Sequence, residues 1–263
     1  MDRFWLFAST FCFLASFCYT VFAVRTGKPL HSTLNFVAVA AGFVLQTVFL
    51  YLRGEQIGRC PLTNLFEVFI FVSWSMTLIY LIIGPAYRLS LLGAFTSPVM
   101  FLIQTLALTL PIDTPQTFTE GPNGWLELHA SLSIVAYGSF LMAGVAGLMY
   151  LVQDRQLKRR TLKSLFYRLP PIHHLTEANR RLILLGFILL TLGTVSGYFV
   201  GRPTDAYKVG WSVVVWLLYG LILWGRKGKS LIPHSMARAS VAAFLFVLGS
   251  LWGITWLSGG GKL

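Results

Sequence analysis

Few side chains in this sequence can do chemistry, and they are unevenly placed. His129 stands at the head of the apolar run Leu126–Val152, which carries no charge after Glu127 until Asp154. Imidazole is the commonest protein ligand for metals and a standard axial ligand of haem iron. Asn64 and Glu67 follow Pro61 at intervals of three, which puts both on one face of a helix beginning there. Such a pair can serve a ligand site. It can equally cap the helix, because the dipole at a helix amino terminus favours an anion. Arg202 and Lys208 place two cations in one short segment, with Tyr207 and Trp211 beside them. Trp125, Trp252 and Trp256 read as interfacial anchors, the ordinary role of tryptophan at a membrane boundary.

Nothing in the sequence supports covalent catalysis. It has no serine–histidine–acid or cysteine–histidine arrangement, no metal-ligand spacing and no phosphate-binding glycine loop, so the chain is expected not to be an enzyme. Cys12, Cys18 and Cys60 form no CxxC motif. Cys12 and Cys18 lie in the first apolar run and are read as buried small hydrophobes.

The elements that must position these residues are membrane helices. Of 263 residues, 56% are hydrophobic and 11% charged, and the mean hydropathy is +0.69. The net charge of +12 would suit nucleic acid, but the cations sit in short loops, where membrane topology accounts for them. Eight apolar runs are long enough to approach or span a hydrocarbon core of about 30 Å. They are Phe4–Val24, Leu34–Leu52, Leu65–Ile83, Leu89–Leu110, Leu126–Val152, Leu182–Val200, Val209–Trp224 and Ala237–Leu257. The expected fold is an all-α polytopic bundle forming one integral-membrane domain over residues 1–263. Pro98 falls inside the fourth run, and Thr176 is expected to cap the sixth helix.

Charge orients this bundle. With the amino terminus outside, 15 of the 21 Lys and Arg residues fall in inner loops, eight of them between Arg155 and Arg181. Both termini are therefore expected to be extracytoplasmic. His31, His173, His174 and His234 fall on the inner side, where solvated or headgroup roles suffice. His129 falls on the outer side, next to the loop Pro111–Gly124, which holds Asp113 and Glu120 and no cation. Small residues four apart, Ala143 and Gly147, Gly193 and Gly197, and Gly249 and Gly253, allow close helix approach.

Four segments taken together resemble the cytochrome c assembly protein family. They are CPLTNLFEVFIFVSW from Cys60, LHASLSIVAYGSFLMAGVAGLMYL from Leu128, LLGFILLTLGTVSGYFVG from Leu184, and WSVVVWLLYGLILWGRKG from Trp211. The resemblance runs from about Arg59 to Leu263. It implies a bundle of the bacterial cytoplasmic (inner) membrane that holds haem at the extracytoplasmic face and presents it to apocytochrome c. Under it, His129 matches the first of two external histidines that ligate haem in CcsA-type members, and Arg202 and Lys208 are available to haem propionates. The implied partners are membrane lipid, haem, apocytochrome c and other maturation components.

The chain also departs from that pattern. The tryptophan-rich signature WGxWWxWDPKE is expected just before Trp211, where the sequence reads GRPTDAYKVGW. The second external histidine is replaced by WLSGGGKL, and Arg59-Cys60 stand where an intramembrane histidine is expected. A bis-histidine site of the CcsA kind therefore cannot be built from this chain alone. The smaller HemX/YpjD-type members, which lack the signature, are the nearer resemblance. That leaves three readings: a haem handler using His129, a regulatory or scaffolding membrane protein without haem, or a permease-like component. The last is least favoured, since few ionisable residues lie within the apolar runs.

Overall fold

The computed structural model describes residues 2–26, 32–86, 92–114, 121–159, 171–201, 206–227 and 233–258. The described residues form eight α-helices: α1 (Asp2–Thr26), α2 (Ser32–Ile57), α3 (Leu65–Ala86), α4 (Leu92–Thr109), α5 (Gly124–Lys158), α6 (Ile172–Tyr198), α7 (Ala206–Lys227) and α8 (Pro233–Ser258). Six of the expected apolar runs lie within one of these helices. The run Leu89–Leu110 extends past α4, its residues 89–91 lying outside the described residues, and the run Leu182–Val200 ends two residues beyond α6. Most helices run past the apolar residues into charged or polar flanks, because a helix satisfies its own backbone whether its side chains meet lipid or water. Gly58 and Gly201, both at φ 70°, follow α2 and α6 in the left-handed conformation that suits glycine after a helix end.

Two sequence expectations need correction. Thr176 does not cap α6: the helix begins a turn earlier, Pro171 holds the cap position without a side-chain bond, and the Thr176 hydroxyl donates to the Ile172 carbonyl at 3.0 Å. Apolar periodicity put the start too late because Ile172–Arg181 is polar on most faces. Cys12 and Cys18 are not buried, Cys12 being half-buried and Cys18 exposed on the apolar exterior of α1.

The helices pack as two linked sets. The first four close on one another, α1 against α2 and α4, and α3 against α2 and α4. The last four do likewise, α5 against α6 and α8, and α7 against α6 and α8. The seam between the sets is α5 against α3 and α4. Glycine makes that seam possible: a Cβ on Gly138 would come within 2.7 Å of the Ser75 Cβ. Gly147 gives the same closeness to Ser240 on α8 and Gly186 to Phe140 on α5. At 35 residues α5 is about 52 Å long, more than a hydrocarbon core of about 30 Å.

The exterior is apolar and the interior partly polar, the reverse of a water-soluble protein. Phe4, Phe7, Phe11, Leu184, Ile188, Leu192 and Val195 are exposed, while Gln46, Ser73, Gln104 and Ser139 are fully buried. Among the described residues five helices, α1, α2, α3, α5 and α6, are long and apolar enough to cross a membrane, and α4 and α7 contain shorter apolar stretches.

Candidate functional site

His129 is positioned by the first two turns of α5. Asn123 caps that helix, its side-chain oxygen accepting from the Trp125 and Leu126 amides at 3.0 and 3.3 Å. Its amide group also donates to the Val200 carbonyl at 3.4 Å, which ties the start of α5 to the end of α6. Trp125 packs on Phe199 with ring centroids 5.1 Å apart. The half-buried imidazole then falls into the space left by Gly197 on α6, while the missing side chain of Gly193 makes room for Ser133. The imidazole Nδ1 lies 2.6 Å from the Gly193 carbonyl oxygen, and a Cβ on Gly197 would stand 2.7 Å from the same nitrogen. Those two glycines do more than let helices approach.

This contact sets the tautomer. A carbonyl oxygen only accepts, so Nδ1 carries the proton and donates it. In the neutral ring the lone pair is then on Nε2, which has no hydrogen bond to any described residue. An Nδ1–H held by a backbone carbonyl is the usual way in which proteins orient a metal-binding histidine. The donor set therefore fits one axial haem ligand. Among the described residues no group of three or more His, Cys, Asp or Glu side chains could hold a metal ion.

Asn64 and Glu67 lie in a charged network at the same end of the bundle. The Asn64 carbonyl accepts from the Glu67 amide at 2.9 Å, which caps α3. One Glu67 oxygen accepts from Arg53 at 2.9 Å and the other from the Thr63 amide and hydroxyl, each at 2.7 Å, and Glu67 is 0% exposed. Asp113 accepts from Arg53 and Arg3, both at 2.7 Å, and from the Asn64 amide at 3.0 Å. The network thus fastens α1, α2, α3 and the end of α4 together. It reaches α5 where Glu127 accepts from the Cys60 amide at 3.4 Å. Burial pushes the Cys60 thiol up from its ordinary pKa, and the Glu127 and Glu67 carboxylates add to the shift against a hydrogen bond to Ser131.

The other candidates divide. Trp211, near the start of α7, packs on Phe246 of α8 with centroids 5.3 Å apart, and its buried Nε1 has no partner among the described residues. Arg202 lies outside the described residues, and so does the side chain of Lys208 on the first turn of α7. No hydrogen bond or ring contact among the described residues joins His129 to Asn64, Glu67 or Trp211. Arg53 and Asp113 are functional-looking residues that sequence reasoning did not single out. Their only sequence signal is an arginine and an aspartate that both close apolar runs on the same side of the bundle.

The model of the cytochrome C assembly protein family matches residues 62–260. The chain belongs to that family. It is 26% identical over 217 residues to the cytochrome c biogenesis protein CcsA of Chlamydomonas reinhardtii, covering 78% of this chain and 60% of that protein. It is 28% identical over 230 residues to protein HemX of Brevibacillus brevis, covering 84% of each. CcsA of Chlorella vulgaris is 25% identical over 296 residues, covering 97% of this chain and 94% of that one. With its long apolar helices, this membership makes the chain a multi-pass membrane protein of cytochrome c assembly type.

Proposed function

We propose that the protein handles haem for cytochrome c assembly, with all eight helices spanning the membrane, both termini outside, and His129 at the extracytoplasmic face of a bacterial cytoplasmic membrane. The observation that carries this reading is the His129 ring held by the Gly193 carbonyl, which leaves Nε2 as a ligand. Haem, when bound, supplies the iron that accepts the Nε2 lone pair and is the cargo delivered to apocytochrome c. The chain's own residues orient and retain it. Asn123 and Gly197 set the imidazole, Arg202 and Lys208 offer cations to propionates, and the buried Trp211 Nε1 offers a donor. Asn64 and Glu67 act through the tie that holds α3 against α2 and the end of α4. The protein positions a cofactor and needs no covalent step of its own.

The test is the visible spectrum of protein purified from haem-replete cells. A Soret band in the wild type that is lost in His129→Ala is the expected result, and a colourless wild type rejects the reading. Orientation is checked at Cys60. A membrane-impermeant maleimide should label it in intact cells, slowly at neutral pH and faster as the pH rises. Its raised pKa keeps the reactive thiolate scarce until the solution is more alkaline.

A second reading rests on the HemX match, which covers 84% of both chains, and on the absent tryptophan signature. Here the protein is a regulatory or scaffolding member without haem, and its basic side makes the contact. A colourless wild type that co-purifies with a partner, lost when Arg155 and Lys158 are replaced, identifies this case.

A further inference from the structure

The last two turns of α2 and the loop after them enclose a recess that the His129 site does not use. Its volume is about 480 Å³, within the roughly 300–1,000 Å³ of small-molecule sites, and it opens to the exterior of the bundle. Leu50 and Tyr51 give it an apolar part, Glu55 and Arg59 a charged part, and Cys60 lies on its wall.

The charge in this recess runs against the helix that builds it. The carbonyl end of a helix dipole favours cations, yet the last turn of α2 has no basic residue and carries Glu55. Arg53, one position earlier, is committed to Glu67 and Asp113. Glu55 is exposed and has no ion pair among the described residues. Its carboxylate and the end of the α2 dipole thus favour a cation that donates hydrogen bonds. Arg59 brings five N–H donors to the same recess, enough to serve a phosphate beside contacts within the fold. A ligand that satisfies both carries an ammonium and a phosphate a few bonds apart.

The flank of α2 indicates what else that ligand carries. Val37, Val44 and Tyr51, seven positions apart and so close to one face of the helix, are all exposed. In a membrane protein such a stripe meets lipid, and its last member lines the recess. We propose that the recess binds one phosphatidylethanolamine molecule. Its ammonium donates to Glu55, its phosphate accepts from Arg59, and an acyl chain lies along Tyr51, Val44 and Val37.

The full chain, purified in detergent and titrated with single phospholipids, tests this. Lipid retention is read by native mass spectrometry, and occupancy by maleimide labelling of Cys60, followed on its own peptide. Phosphatidylethanolamine should be retained several-fold better than phosphatidylglycerol, which lacks the cation, or phosphatidylcholine, whose cation has no N–H. It should also slow Cys60 labelling several-fold. Glu55→Gln, at an exposed position that leaves packing intact, should erase the preference over phosphatidylglycerol, and Arg59→Gln should weaken retention of all three lipids. Equal retention of the three by the wild type overturns the proposal, as does an unchanged preference in Glu55→Gln. Equal protection of Cys60 by soluble phosphoethanolamine also overturns it, since the ligand is then a free phosphate ester and not a lipid.

Discussion

At the end of the bundle where α5 begins, charged side chains reach across the chain. Arg53 joins Glu67 and Asp113, and Arg3 joins Asp113 from 110 positions away. At the end where α5 finishes, the acids bond mostly to their own helix: Lys158 to Asp154 at i,i+4, and Arg180 and Arg181 to Glu177 at i,i+3 and i,i+4. The one exception among the described residues is His234 on α8, 3.5 Å from Asp154. The first kind of pairing fixes one helix against another, and in lipid, where apolar surface drives no association, such ties and close packing must do that work. The second kind stiffens a helix that already exists and ties no second helix to it. The end where α5 begins is thus cross-braced by ion pairs, whereas at the other end, apart from His234, the pairs among the described residues stay within one helix.

The largest test of this contrast is Arg53→Met. It strands the fully buried Glu67 and half of the pairing of Asp113, and removing one member of a buried ion pair costs about 3–5 kcal/mol. A sharp fall in thermal midpoint or in folded yield in detergent is expected. Asp113→Asn should cost less, because Arg53 keeps Glu67. Next is Gly138→Val, whose side chain must enter space held by Ser75 and the Met76 amide, prying α3 from α5 at a cost of about 1–3 kcal/mol. The seam joining the two helix sets would loosen, read as a lower midpoint and faster proteolysis.

Gly197→Ala is smaller in stability, about 1 kcal/mol, but aimed at the site: its methyl displaces the His129 ring from the Gly193 carbonyl. Any Soret band should weaken or shift while the midpoint moves little, an outcome opposite to that of Gly138→Val. Smallest is Glu177→Gln at the basic end. It removes two solvated local pairs worth about 0.3–0.5 kcal/mol each, so a midpoint change as large as that of Arg53→Met would erase the distinction between the ends.

The helices were legible as apolar runs, and the site only in outline. The ends of α5 and α6 were misjudged because Gln153–Lys158 and Ile172–Arg181 are helical without being apolar. Asp113 stood in a loop with no cation nearby in sequence, and nothing local announced that Arg3 and Arg53 would close on it. Gly193 and Gly197 were visible as small residues four apart, a pattern that names close packing but not the imidazole seated on Gly197 and bonded to the Gly193 carbonyl.

Composition and run length alone determined that this chain is a membrane helix bundle. The order of its four marked segments determined its family, and the uniqueness of His129 made it the residue to watch. Those properties are local, since hydropathy and spacing survive any rotation of one helix against another. The Nδ1 bond to Gly193 and the Arg53 bridge between two acids were decided only by tertiary structure. Each depends on how far one helix is rotated and slid along its neighbour, and the sum of many packing contacts sets that register, not any one stretch of sequence.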